Sequence, residues 1–382
     1  MIRVLLLVPE LPIHLSDIKG GVHSASLNLI QGFSLLNINV RVISFSREVK
    51  HTITKEISPN IQIIYIPEGV FEFHTLNYLI IVPFKLKRQI KLFNPDIIHF
   101  EVGNTFLLTR ILGLSHKKYL LTIHGMSYDE GKIKKKWTDK ITWYFNAMTQ
   151  DLLYPKNIIH LSQFSKNKFS NFREDHSVVI PNAIINDYFN IPLKIKTDNK
   201  LLYIGLIDIN KNLYFLLKQL SKLLSNDFYY SLEIVGDFIS DEYKQIIQNF
   251  ISKNQLEKYV TFHGWTPQHQ LIQILHKVDL LVVSSMHESL PMVIAESMAA
   301  GKVVVSSDVG GIPEMINDNK TGFLFSLKQE SKFIETMEFL YNNDECCQRI
   351  STNARNFAYN SFHSGVIAEK TIKFYNEIIN DK

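Results

Sequence analysis

The sequence predicts an α/β protein built from two doubly wound domains. Three observations predict it. Short apolar runs alternate with longer amphipathic segments along the chain, the rhythm that gives parallel sheets with helices on both faces. A polar, proline-bearing stretch from Pro181 to Lys200 interrupts that rhythm. The 382 residues, 46% of them hydrophobic, exceed one small core and suit two or three domains of ~150 residues.

Taken in order, strands are expected over 3–8, 40–45, 61–66, 96–100, 119–123 and 157–161, then over 200–204, 231–235, 259–263, 279–284 and 302–306. Helix-length patterns cover 22–36, 83–92, 211–224, 240–253, 267–276 and 290–300. The first run, Val4 to Val8, stops at Pro9 and is too short for the apolar region of a signal peptide, so a buried strand is expected. The Pro181-Asn182 pair, Pro192 and the polar residues up to Lys200 mark a joint before strand rhythm restarts at Leu201. We divide the chain there into residues 1–190 and 191–361. Two such domains facing each other leave a cleft at the carboxyl ends of their strands, where open α/β sheets bind ligands.

Composition excludes several classes. A net charge of +4 and a pI near 8.7 are far from the concentrated basicity of a nucleic-acid binder, so no nucleic-acid partner is expected. The 2 cysteines, Cys346 and Cys347, are adjacent, which rules out a disulfide framework and suits a reducing cytoplasm. No run reaches the ~20 apolar residues of a membrane span; Tyr78 to Phe84 comes nearest, with Lys85 and Lys87 following. A cytoplasmic location is expected, with peripheral contact at the inner membrane face through Lys132–Trp137. There Lys132, Lys134, Lys135 and Lys136 with Trp137, and Trp143-Tyr144-Phe145 beyond, form a basic aromatic face for anionic lipid. A solvated lysine-rich loop is the alternative.

The chemistry concentrates after one strand. Asp279-Leu-Leu-Val-Val-Ser-Ser285 reads as a buried strand, and a helix is expected to begin near Ser289 to Pro291, serine as cap and proline in the first turn. Glu288 then lies in the loop and Glu296 about a turn and a half into the helix. The helix start offers backbone N–H groups and a positive dipole end to a diphosphate. A loop carboxylate accepts sugar hydroxyls, and one deeper on the helix accepts a ribose hydroxyl pair. An acidic helix start with no ligand is the alternative.

The spacing Glu288-x7-Glu296 resembles the signature of the retaining glycosyltransferases of family four, which have the GT-B fold. Other elements in the family's order carry the resemblance across nearly the whole chain. They are Gly20-Gly21, Pro95-Asp-Ile-Ile-His99, Thr122-Ile-His124-Gly125, Ile180-Pro-Asn-Ala183, Val303 to Ser307 with Gly310-Gly-Ile-Pro-Glu314, and Thr321-Gly-Phe-Leu-Phe325.

The resemblance implies roles. Glu296 holds the donor ribose and Glu288 the transferred sugar. Ser289, Leu290, Pro291, Met292 and Val293 bring the helix start to sugar and phosphates, and Gly205, Gly264, Gly310 and Gly311 line the donor. Lys211 neutralises the departing diphosphate. Gly20 and Gly21 form an acceptor-side loop, or no more than a turn leading into a helix. His124 closes a strand beside Gly125 and donates to a sugar hydroxyl or phosphate oxygen. Leu206 stands where the family usually has arginine. The final pattern, Val366 to Ile379, is expected to return as a helix to the first domain, so that residues 362–382 complete it.

The chain has no Asp-x-Asp pair, so no metal is expected. No cofactor is expected either, a UDP- or GDP-linked sugar being the substrate and a sugar or lipid-linked sugar the acceptor. A GT-B sugar-nucleotide epimerase and a non-catalytic sugar-nucleotide binder are the rival functions.

Overall fold

The computed structural model describes residues 1–15, 18, 20–68, 81–101, 118–124, 156–170, 176–193 and 198–381. Gly125, the Lys132–Trp137 run and Trp143–Phe145 lie outside the described residues. The chain divides into two compact units, Met1–Ala183 with Ser364–Lys382, and Ile184–His363.

The first unit holds the strands β1 Arg3–Leu7, β2 Asn39–Ser46, β3 Ile53–Ser58, β4 Ile61–Pro67, β5 Ile97–Phe100, β6 Tyr119–Ile123, β7 Asn157–His160 and β8 His176–Val179. Among the described residues they form one sheet in the order β3-β4-β2-β1-β5-β6-β7-β8. Its pairs are parallel except that of β3 with β4. Strand alternation sends β1 into two cores. Val4 and Leu6 join Ile30 and Phe33 of helix α1 (Gly21–Ser34), while Leu5 and Leu7 join Leu86 and Ile90 of helix α2 (Val82–Phe93). A short helix, α3 (Gln163–Ser170), follows β7.

The second unit begins with α4 (Asn186–Phe189). Strands β9 Lys200–Ile204, β10 Ser231–Val235, β11 Val260–Gly264, β12 Leu280–Val283, β13 Val303–Ser307 and β14 Phe323–Phe325 follow. They lie in the order β11-β10-β9-β12-β13-β14, all parallel. The intervening helices are α5 Leu213–Ser225, α6 Asp241–Lys253, α7 Gln268–Lys277, α8 Met292–Ala299, α9 Glu330–Tyr341 and α10 Asp344–Phe362. Leu201 and Tyr203 face one core and Leu202 the other, so this sheet too is covered on both faces.

The last helix, α11 (Ser364–Asn380), packs on α1 of the first unit, as the family resemblance implies. Close approach requires Gly32: a Cβ there would lie 2.3 Å from the Ser364 carbonyl oxygen. Phe374, Tyr375 and Ile378 enter the core beside Phe33, and Lys118 donates to the Ile379 carbonyl at 2.7 Å. Among the described residues no helix is long and apolar enough to cross a membrane.

Candidate functional site

In the parallel part of each sheet the strand order reverses direction, between β1 and β5 in the first and between β9 and β12 in the second. Loops at the carboxyl ends of strands flanking such a reversal diverge and leave a crevice. The candidate residues gather at these two points.

In the second unit, the loop after β9 carries Gly205 and Lys211, and the loop after β12 carries Glu288. Lys211 Nζ lies 2.5 Å from Glu288 Oε1, and the Ser285 hydroxyl donates to the same oxygen at 2.7 Å. Both charged groups are partly open, 29% for the lysine side chain and 11% for the glutamate, so solvent or ligand reaches them. The backbone holds them there. Asp208 accepts from the Lys211 N–H at 2.7 Å, Met286 N–H donates to the Asn210 carbonyl at 2.7 Å, and the Ser284 hydroxyl bonds the Asn212 carbonyl at 3.0 Å.

From the other side, Gly311 N–H donates to the Glu288 carbonyl at 3.2 Å. A Cβ at Gly310, where φ is +61°, would lie 1.7 Å from that carbonyl oxygen, so this contact needs glycine. Gly205, Lys211, Glu288, Gly310 and Gly311 thus form one assembly. Gly264 ends β11, two strands from β9, and accepts from the Gly236 N–H.

The helix after Glu288 starts later than its sequence suggests. Pro291 is the cap of α8, with extended ψ of 118°, and no side chain caps the helix. Proline disfavours helical backbone in the residue before it, so Leu290 and Ser289 stay in the loop and the Ser289 hydroxyl is not the cap. Met292 and Val293 make the first turn, with N–H groups that no side-chain cap satisfies.

Glu296 is buried within α8 and receives a hydrogen bond from the Tyr188 hydroxyl of α4. Burial raises its pKa to about 7 against that bond. An ionised carboxylate has about four acceptor positions, and this one has a single protein donor among the described groups. Leu206 is 58% exposed.

In the first unit, Gly20 caps α1 with φ +93°, and Gly21 is the first helical residue. A Cβ at Gly20 would make only an ordinary contact, 3.6 Å from His23 Nδ1, so it is the backbone conformation that calls for glycine. His124 follows β6, and its Nε2 bonds Glu101 Oε2.

Glu101 is the residue that sequence reasoning missed. Burial pushes its carboxyl pKa up, but His124 and His99 outweigh this and hold it well below the usual carboxylate range. His99 Nε2 lies 3.0 Å from Glu101 Oε1 and 2.7 Å from Thr122 Oγ1, and Thr122 donates to Glu101 at 3.2 Å. The signal was spacing: His99 and Glu101, like Thr122 and His124, are two apart on adjacent parallel strands. Ser285 and Tyr188 were missed as well, and nothing in their local sequence marks them.

Residues 185–357 match the family model described as glycosyl transferases group 1, and residues 19–187 the one described as glycosyltransferase family 4. An uncharacterised 41.2 kDa protein of the cps region of Klebsiella pneumoniae is 24% identical, over 95% of this chain and 98% of its own. Among solved structures, sucrose-phosphate synthase of Thermosynechococcus elongatus superposes with TM-score 0.80 at 17% identity, covering 99% of both chains. Anabaena HepE in complex with UDP-glucose does so with TM-score 0.74 at 16% identity, covering 99% of this chain and 100% of its own. With one doubly wound unit under each family match, the chain belongs to the GT-B glycosyltransferases of family 4 and group 1.

Proposed function

We infer that this enzyme moves a sugar from a nucleoside-diphosphate sugar to a hydroxyl acceptor with retention at the anomeric carbon and without a metal ion. The observation that carries the reading is the Lys211–Glu288 pair at the strand-order reversal of the second unit, beside the uncapped start of α8. Lys211 and those N–H groups meet the diphosphate, whose negative charge grows as the bond to the sugar breaks. Glu288 accepts hydroxyls of the transferred sugar once Lys211 turns to phosphate. Glu296 takes the ribose hydroxyl pair on its unoccupied acceptor positions. In this reading Lys211, placed beside the start of α8, supplies the cation at the leaving group.

His124 and the Gly20–Gly21 turn belong to the sugar and acceptor side. The solved HepE complex with UDP-glucose supports a UDP-linked donor, and the cps-region relative supports a cell-surface polysaccharide or glycolipid product. Peripheral membrane contact through Lys132–Trp137 fits a lipid-linked acceptor, with the protein at the inner face of the cell membrane. The test is incubation with a panel of radiolabelled nucleotide sugars, followed by NMR of the product's anomeric proton. Release or transfer of sugar from one donor is expected. Binding without any release would make the protein a sugar-nucleotide binder, and an inverted product would overturn retention.

A further inference from the structure

Two buried serines in succession follow β12, and each grips a different member of the Lys211–Glu288 pair. The Ser284 hydroxyl bonds the backbone carbonyls of Lys211 and Asn212, at 3.2 and 3.0 Å. The Ser285 hydroxyl reaches the carboxylate itself, 2.7 Å from Glu288 Oε1. Ser285 is in turn held by its own backbone, whose carbonyl accepts from the Ser307 hydroxyl of β13 at 2.7 Å. On the way to Glu288 the chain is pinned again. Asn210 Nδ2 donates to the His287 carbonyl at 3.1 Å, and Gly311 N–H to the Glu288 carbonyl at 3.2 Å. With the backbone fixed on both sides, what is left to set is the direction of the carboxylate.

Oε1 receives two donors, Ser285 and Lys211 Nζ. Among the described residues Oε2 receives none. The two donors differ in what they can do when a ligand arrives. Lysine is a point charge on a flexible four-carbon stem, and this one is 29% exposed, so a diphosphate draws it off Glu288. Ser285 has a one-carbon side chain, is 2% exposed, and cannot follow. Once Lys211 has turned to phosphate, Ser285 is the donor that remains on Oε1.

We propose that Ser285 is a positioning residue for the transfer. It holds Oε1 of Glu288 after Lys211 has left, so that Oε2 is offered to a hydroxyl of the donor's sugar. The assignment deepens the transferase reading and rests on it for the identity of the ligand. The grip on the carboxylate can be tested without any ligand.

The first experiment uses the full chain with Lys211→Ala standing in for the lysine's departure. Crystal structures of Lys211→Ala and of Lys211→Ala with Ser285→Ala are compared. The carboxylate of Glu288 is expected to stay beside Ser285 in the single variant and to turn away or lose order in the double. A carboxylate that leaves Ser285 in the single variant, or keeps its place in the double, would overturn the proposal.

The second experiment is calorimetry on Ser285→Ala with the nucleotide sugar found in the donor panel and with its free nucleoside diphosphate. Affinity for the nucleotide sugar should fall by about tenfold, and affinity for the diphosphate should stay within about twofold. A general loosening of the loops would weaken both ligands alike, and that result, or no loss for either, counts against Ser285. Ser285→Cys, close in volume with only a weak donor, replaces the alanine variant if that does not fold. If no nucleotide sugar binds the wild type, the transferase reading fails, while the pair of structures still decides whether Ser285 holds the carboxylate.

Discussion

Each unit buries one glutamate near its strand-order reversal or the helix that follows it, and the two are in opposite states. Glu101 has three protein donors, and its pKa is driven down despite burial. Among the described residues Glu296 has the Tyr188 hydroxyl alone, and burial wins, raising its pKa to about 7. The contrast teaches how to separate buried carboxylates that work inside the protein from those that await a ligand. A carboxylate with most of its acceptor positions filled orients its neighbours. One left short of donors is costly to keep charged until a ligand supplies them.

The largest expected effect tests the open side of that comparison. Lys211→Ala removes the cation at Glu288 and is expected to lower kcat by about 10²–10³, measured by steady-state kinetics with the working donor. A kcat within about twofold of wild type, less than one tenfold step of barrier, would mean that the diphosphate is neutralised elsewhere.

Next comes Glu296→Gln, expected to weaken UDP binding by roughly tenfold or more, since a charged acceptor for hydroxyls contributes ~1.5–3 kcal/mol. The same variant sharpens the pH contrast. Because the folded pKa of Glu296 lies above its ordinary value of 4.5, the native state keeps a proton that the unfolded chain has lost. Stability from this group falls as pH rises from there to about 7, by roughly 3 kcal/mol in total. Glu101 has the reverse sign: its contribution is present above the ordinary carboxylate pKa and is lost as pH falls below it. Urea denaturation at pH 5 and pH 8 should show the Glu296→Gln variant gaining on wild type at pH 8. Equal differences at both pH values would remove Glu296 from the account.

Smaller effects follow. Leu206→Arg places a cation on a side chain that is already 58% exposed, so stability should change by no more than about 0.5 kcal/mol. Donor affinity should rise by up to about tenfold. A fall in affinity would show that the loop aims this position away from phosphate. Chelation is the smallest: EDTA should leave the rate unchanged, and restoration of a lost rate by Mg²⁺ or Mn²⁺ would give the leaving group a metal instead of Lys211.

Much of the fold was legible because buried parallel strands are runs of Val, Ile and Leu. The expected strands from β1 to β13 are present within a residue or two at their ends. Those overlooked are of another kind. In β3 the run Ile53-Thr-Lys-Glu-Ile-Ser58, at the sheet edge, is half exposed and nowhere fully buried, and β8 is half-buried throughout, so neither reads as a buried strand. Helix α9 does carry one, with Phe333, Met337 and Leu340 on a single face, and could have been read. In the site, Glu288, Glu296 and Lys211 stand out by spacing and loop position. That Lys211 touches Glu288 was not readable, because 77 residues separate them and only the β9–β12 pairing brings their loops together. Tyr188 and Tyr375 are likewise set against their carboxylate and histidine by packing between distant helices and strands.

The return of α11 to the first unit has a consequence for biosynthesis. Residues 1–183 emerge from the ribosome well before the helix that fills their core, because the whole of Ile184–His363 is translated in between. At about 5–20 residues per second this delay is on the order of 10–40 s. During it Phe33 lacks its neighbour Tyr375, and His99 lacks the hydroxyl that Tyr375 supplies. The second unit, being continuous, has every residue of its core in hand as soon as Phe362 is made. The later-encoded unit can therefore finish folding first, and His99 of the earlier one gains its Tyr375 partner only once α11 has been made.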